Sequence, residues 1–351
     1  MEHLYDYGLF LAQAVTIVAA ILILVAGLVA VGQRQRAELQ EGHIEIRNIN
    51  EKYTHIGEAI EAAVGDEATV KEARKSRKKA DKQKAKAEKK QRKSGKESAT
   101  RRNRLFVLSF DGDLKASATD SLREEISAVL GQTGEGDEVL LRLESPGGLV
   151  HGYGLAASQL QRIRDAGVPL TVAVDKVAAS GGYMMACVAN RIIAAPFAVI
   201  GSIGVLAQLP NFHRLLKKHD VDFELYTAGE YKRTVTLFGE NTDKGRQKFQ
   251  ADLEETHVLF KDFVSDNRPE LDIETVATGE VWYGRKAVEQ GLVDELTTSD
   301  AYIQSRLADW DVFGVRFVNK KNWQEKLGIA AEGAVERALL KFWQRGQRPE
   351  V

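Results

Sequence analysis

From Arg104 onward, short apolar runs rich in β-branched residues alternate with amphipathic segments, and this alternation limits the fold more than any other feature of the chain. RLFVLSF, EVLLRLES, PLTVAVD, RIIAA and DFELYTA read as strands. Between several of them, TDSLREEISAVLGQ and GYGLAASQLQRIRDAG repeat apolar residues at helical spacing. Strands that alternate with helices imply βαβ units, because parallel neighbours need a long crossover; the expected class is α/β with a largely parallel sheet. A longer helical pattern runs from about 243 to 267, and AVERALLKFWQR near the C-terminus is amphipathic.

What precedes this body has a different character. Residues 8–31 (GLFLAQAVTIVAAILILVAGLVAV) carry no charge, and at 1.5 Å per residue such a helix covers the roughly 30 Å hydrocarbon core. The start, MEHLYDY, lacks the basic region of a cleaved signal peptide, so a retained single-pass helix is expected. Arg34 and Arg36 follow the run while no Lys or Arg precedes it, a bias that favours a cytoplasmic body. A second apolar stretch, 177–209, contains Arg191, Pro196 and several glycines and reads as buried core rather than a span.

The linker, about 32–103, first shows Leu39, Ile44, Ile46, Ile49, Tyr53, Ile56, Ile60 and Val64 every three or four positions, the pattern of a weakly amphipathic helix. It then becomes almost pure charge. Lys71–Lys93 holds 13 Lys/Arg against 3 Asp/Glu, net +10 in a chain of net charge −1, so the remainder carries −11. A solvated helix or tether explains this block; contact with anionic lipid head groups is the sharper alternative. Without interleaved aromatics it does not suggest specific nucleic-acid binding. The expected division is a tail (1–7), a membrane helix (8–31), the linker (32–103), a catalytic body (104–300) and a C-terminal extension (301–351). Cys187 is the only cysteine, which excludes an intramolecular disulfide and a cysteine-based metal site.

Three glycine-bearing loops fall where strands meet helices. Glu144-Ser145-Pro146-Gly147-Gly148 follows EVLLRLES, and by itself reads equally well as a tight turn. Ala178-Ala179-Ser180-Gly181-Gly182-Tyr183 follows PLTVAVD and precedes an apolar helical stretch. Small neighbours leave the Ser180 hydroxyl uncrowded, and a helix N-terminus there would stabilise a developing oxyanion. The N–H groups of Gly148 and Gly181 are the candidate oxyanion donors. Taken alone, Ser180 is as well explained as an N-cap. Gly201-Ser202-Ile203-Gly204-Val205 is a weak signal by itself.

A serine nucleophile needs a base. Of the seven histidines, none falls in a loop resembling a catalytic one; His151 and His257 lie in helical patterns and read as surface or capping residues. Lys232, in Gly229-Glu230-Tyr231-Lys232-Arg233, is the other candidate. A lysine base must be neutral, which burial against Tyr226, Val235 and Leu237 would favour. Otherwise Lys232 is a surface lysine in a charged loop. The spelling S-x-x-K at Ser76–Lys79 lies inside the charge run, where no lysine can be desolvated.

Jointly, SPGG (145–148), KVAASGGY (176–183), GSIGV (201–205), YKR (231–233) and YGRKAVEQGLVDEL (283–296) resemble the signal peptide peptidase A family, peptidase family S49, over roughly 104–300. The resemblance implies a Clp-protease or crotonase-like fold and serine endopeptidase activity with neither metal nor cofactor. It implies Ser180 as nucleophile, Lys232 as base, Ser202 as the hydroxyl that orients the lysine, and Gly148 in the oxyanion hole. It also implies a peptide or protein substrate, such as signal-peptide remnants or misfolded envelope proteins, a bacterial inner-membrane location, and assembly into homo-oligomeric rings. The alternatives are a non-catalytic membrane scaffold or chaperone and an acyl-coenzyme A enzyme on the same fold, for which no coenzyme signature is present.

Overall fold

The computed structural model describes residues 42–66 and 101–318, with a few positions between 75 and 86. Glu45–Arg316 make up one compact unit; the second unit, Met1–Ile44 with Phe317–Val351, falls almost wholly outside the described residues. The expected membrane helix at 8–31, most of the basic block and the amphipathic C-terminal segment also lie outside them. Among the described residues, no helix is long and apolar enough to cross a membrane.

The first elements divide a segment expected to be one helix. HIEIRN forms strand β1 (His43–Asn48), and helix α1 (Ile49–Val64) begins directly after it. Asn48 sets the boundary: its side chain accepts from the Glu51 N–H at 3.1 Å, an N-cap that a continuous helix would not use. The spacing of Ile44 and Ile46 suits a strand as well as a helix, and the cap decides between them. Two residues later Asn50 fastens α1 to the segment that leads into β10. Its amide donates to the carbonyls of Leu307 and Trp310 at 3.0 and 2.9 Å and accepts from Val312 N–H at 2.7 Å.

The expected βαβ pattern is present. In chain order come β2 (Arg104–Asp111), α2 (Thr119–Leu130), β3 (Glu138–Glu144), α3 (Val150–Asp165), β4 (Leu170–Val174), β5 (Val177–Ala179), α4 (Gly181–Ala186), β6 (Arg191–Ala194) and β7 (Val199–Gly201). Then follow α5 (His213–Lys218), α6 (Asp243–Asn267), α7 (Ile273–Val276), β8 (Val281–Tyr283), α8 (Gly284–Glu289), β9 (Glu295–Leu296), α9 (Ser299–Arg306) and β10 (Asp311–Val318). The main sheet has the order β1-β10-β2-β3-β4-β6-β9, and from β10 to β9 every pairing is parallel. LTVAV of β4 is buried along its whole length, as a strand covered on both faces must be. Leu105, Leu108, Leu140, Leu141, Val172 and Ile193 have no exposed surface. β10, from the expected C-terminal extension, pairs with β2 and so belongs to the same sheet.

A smaller sheet, β5-β7-β8, carries the loops of interest. Its first strand intervenes between PLTVAVD and Ser180, so the serine leaves the small sheet rather than the large one. Two other expectations fail. DFELYTA is not a strand: residues 221–227 have no regular structure. Phe223, Leu225 and Tyr226 stand exposed there, and a strand without a neighbour leaves its backbone groups unpaired. The apolar stretch 177–209 is core only as far as Ile203, beyond which residues 206–210 are exposed.

Two ionic clusters fasten the edges. Arg268, at the end of α6, binds Asp294 with both terminal nitrogens at 3.0 and 2.6 Å and the Gly291 carbonyl at 3.1 Å, fixing the long helix against the loop before β9. Asp137 lies before β3 with its side chain fully buried. Burial alone would raise its carboxyl, but hydrogen bonds from Arg104, from Arg101 and from the N–H groups of Gly134 and Arg104 outweigh this and hold it at about 2, against an ordinary 3.8. A folded-state value below the unfolded one stabilises above pH 4, and that stability is lost as pH falls from about 4 to about 2. The expected contribution is on the order of 2 kcal/mol at neutral pH. Urea titrations of wild type and Asp137→Asn at pH 7 and pH 2.5 should show a gap that closes at the lower pH; an equal gap at both would refute this assignment.

Candidate active site

β5 and β7 run parallel with Ala179 opposite Gly201, so the residues that come next, Ser180 and Ser202, leave the small sheet side by side. The Ser180 N–H donates to the Gly201 carbonyl at 2.7 Å, and the Ser202 N–H donates to the Glu280 carbonyl at 2.6 Å. Both serines have φ of 51°, a left-handed conformation that non-glycine residues adopt at a cost of about 1–3 kcal/mol. At Ser180, with ψ of −118°, this bend turns strand into helix within one residue. The Ser180 side chain makes no capping hydrogen bond to α4, so the N-cap explanation does not hold. A strained strand-to-helix turn that presents an uncommitted hydroxyl is the geometry used for nucleophilic serines.

The SPGG loop is held against this turn. Ser145 is fully buried; its N–H donates to the Val177 carbonyl at 2.8 Å and its own carbonyl accepts from Ala179 N–H at 3.0 Å. Gly147 has φ of 90°, and a Cβ there would lie 2.8 Å from the Ala179 carbonyl oxygen, the Gly181 nitrogen and the Ser180 Cβ. Only glycine lets the two loops approach this closely. At Gly148 a Cβ would lie 2.2 Å from the Leu114 carbonyl oxygen. Among the described residues, the N–H groups of Gly148 and Gly181 donate to no protein acceptor. Two free donors beside an uncommitted hydroxyl are what a tetrahedral oxyanion requires.

Tyr153, from α3, was not singled out by the sequence, yet it organises this region. Its hydroxyl donates to the Asp113 carbonyl at 2.8 Å, so the 2.6 Å contact with Ser145 has Ser145 Oγ as donor, and Ser145 Oγ accepts in turn from Gly147 N–H at 3.1 Å. Burial first, then the charges of Asp113 and Asp111, push the phenol upward against the Ser145 hydrogen bond, so Tyr153 stays a donor. Tyr153→Phe would strand the Ser145 hydroxyl, at an expected cost of about 1–3 kcal/mol. The melting temperature of Tyr153→Phe checks this, and a value equal to wild type would mean the chain Tyr153–Ser145–Gly147 does not brace the loop. The only sequence signal was an aromatic on the buried face of a helix.

Ser180, Ser202, Gly148 and Gly181 all line one cleft of about 650 Å³. Leu114, Leu149, Met184, Val205 and Leu206 give it apolar walls, and α6 contributes Thr256, His257 and Phe260. Lys232 is not among the lining residues. It sits exposed in the 229–233 turn, its N–H donating to the Gly229 carbonyl at 3.2 Å. The burial expected from Tyr226 and Leu237 is not supplied within the chain: they are 86% and 36% exposed. The structure thus brings four of the five expected site residues together and leaves Lys232 outside. Cys187 lies buried at the C-terminal end of α4, where burial pushes its thiol up to about 12 and keeps it inert.

Comparison with known proteins bears on what this cleft is. The model "Peptidase family S49 N-terminal" matches residues 2–160, and "Peptidase family S49" matches residues 162–312. The chain belongs to peptidase family S49, and by that membership it is a peptidase. A "Probable protease SohB" from Haemophilus influenzae is 53% identical over 342 residues, 97% of this chain and 96% of the relative. Another of the same name, from Buchnera aphidicola subsp. Schlechtendalia chinensis, is 50% identical over 307 residues, 87% of this chain and all of the relative. Among solved structures, a substrate-peptide complex of the "1510-N membrane-bound stomatin-specific protease" aligns with TM-score 0.40 and 13% identity, covering 64% of this chain and 96% of that one.

Proposed function

We propose that this chain is a membrane-bound serine endopeptidase that hydrolyses peptide bonds through an acyl-enzyme on Ser180, with Lys232 as general base. The observation that carries the reading is the Ser180 turn: a strained, uncapped serine in a cleft, with the Gly148 and Gly181 N–H groups free beside it. Neutral Lys232 removes the Ser180 proton as the hydroxyl attacks the carbonyl carbon. The oxyanion is held by Gly148 and Gly181, and Lys232 returns the proton to the leaving amine. Water, deprotonated by Lys232, then attacks the ester and frees Ser180. Ser202, beside Ser180 in the cleft, orients the lysine once it arrives.

Lys232 must therefore be delivered. The segment that carries it exposes Leu206, Leu209, Phe212, Phe223, Leu225 and Tyr226, an apolar face of the kind buried by association. Homo-oligomer formation that seats this segment on a cleft would desolvate Lys232 and complete the dyad. Residues 8–31 anchor the assembly in the bacterial inner membrane, with signal-peptide remnants or misfolded membrane and envelope proteins as substrates. The rival reading, a non-catalytic scaffold, is favoured by the exposed position of Lys232 in the single chain.

The full chain in detergent micelles should cleave unfolded casein, and a fluorophosphonate should stop the reaction. Absence of cleavage in oligomeric preparations, together with failure of the fluorophosphonate to label the chain, would favour the scaffold.

A further inference from the structure

We propose that Tyr231 is a positioning residue for Lys232: its ring, caught by the ammonium groups of Lys244 and Lys248, fastens the turn that carries the lysine to helix α6. This rests on Lys232 being the general base. The turn itself supplies little order. Across 229–233 there is no helix or strand, Gly229 stands at φ of 99°, and one backbone hydrogen bond, Lys232 N–H to the Gly229 carbonyl, closes the loop. Catalysis tolerates little misplacement: about 1 Å of error can cost on the order of 10²-fold in rate. The order must come from outside the turn.

Three contacts supply it, and all lead to the first two turns of α6. The Lys244 and Lys248 Nζ atoms lie 5.8 and 5.7 Å from the Tyr231 ring centroid, both within the range of a cation–π contact. Residues four apart share a helix face, and two like charges so placed are unfavourable by themselves. The Tyr231 ring and two carboxylates offset that repulsion: Glu230 pairs with Lys244, and Asp252 with Lys248. The Glu230–Lys244 pair is the second contact. Hydrogen bonds from Lys244 and then from Tyr231 hold the Glu230 carboxyl below its ordinary range, so it stays charged. The third contact is backbone packing. A Cβ added at Gly245 would collide with the Thr234 carbonyl oxygen, so glycine there lets the exit of the turn lie directly on the helix. Tyr231 and Thr234 flank Lys232, and α6 holds both. The far end of α6 is fixed by the Arg268–Asp294 pair. The Lys232 backbone is thus carried with α6 as one body, whichever copy's cleft receives the side chain.

The test uses the full chain in micelles and separates kcat from KM on a fluorogenic peptide. Tyr231→Leu should lower kcat by roughly ten- to a hundredfold with KM within about twofold, since the ring acts on the base and not on the peptide. Tyr231→Phe keeps the ring and should stay within about threefold of wild-type kcat. The pair Lys244→Met/Lys248→Met should reproduce the loss. Lys244→Arg/Lys248→Arg should not, because guanidinium groups also bind ring faces. A second readout does not depend on catalysis. Trypsin nicking after Lys232 and Arg233 in the intact chain should be about tenfold faster in Tyr231→Leu than in wild type or Tyr231→Phe. Tyr231→Leu with kcat or nicking within twofold of wild type would overturn the proposal. So would equal losses in Tyr231→Leu and Tyr231→Phe, or a loss that tracks dissociation of the oligomer on size exclusion. If Lys232→Ala cleaves like wild type, the base assignment is what fails, and the nicking rates still judge whether Tyr231 holds the turn.

Discussion

Ser180→Ala should reduce peptide cleavage by about 10⁴- to 10⁶-fold while leaving the fold intact, because the other hydroxyls that line the cleft, Ser202, Thr256 and Thr278, do not sit at a strand-to-helix turn. Ser202 is the closest substitute by type, but its neighbour is Gly201 rather than a helix N-terminus, and its N–H is committed to Glu280. The substitution removes only an oxygen that makes no hydrogen bond to α4. It also relieves nothing in the backbone, since alanine must adopt the same φ of 51°. The melting temperature should therefore stay near that of wild type. Retained cleavage by the purified variant would remove Ser180 from the mechanism.

Lys232→Ala should cause a loss of similar size. Nucleophile and base act as a unit, so removing either is expected to cost nearly as much as removing both. Because Lys232 is exposed in the single chain, its removal should leave monomer stability within about 0.5 kcal/mol of wild type. How the lysine reaches the cleft can be read from mixtures. If neighbouring copies exchange this segment, inactive Ser180→Ala and inactive Lys232→Ala mixed in one oligomer should regain activity, since some clefts then contain both residues. If each copy uses its own lysine, the mixture stays inactive while each variant remains oligomeric. Wild-type cleavage by Lys232→Ala would exclude it as base.

The parallel α/β body was legible because its strands are largely buried on both faces and read as near-continuous apolar runs, such as LTVAV and VLLRL. Helix α6 was legible because its periodicity is long, and the structure gives Asp243–Asn267. The glycines of the two loops were legible as permissive positions, although what they permit, the approach of the Gly147 backbone to Ala179 and Ser180, depends on tertiary contact. Three things were not legible. Tyr153 acts through a hydroxyl on a buried helix face, where an aromatic is usually packing alone. DFELYTA has strand composition, but composition does not supply an edge to pair with, and among the described residues the segment pairs with no strand. Lys232 belongs to the same class: the sequence places it at a suitable spacing from Ser180, whereas its chemistry depends on what covers the segment around it.

Whether the Ser180 hydroxyl is the nucleophile can be read from the peptide that carries it. Trypsin releases residues 177–191 as VAASGGYMMACVANR, in which Ser180 is the only serine. Mass spectrometry of this peptide, after the full chain in micelles has reacted with a fluorophosphonate, should show the phosphonyl adduct on Ser180, with none in the Ser180→Ala variant. An adduct on the peptide carrying Ser202, with residues 177–191 unmodified, would contradict the account.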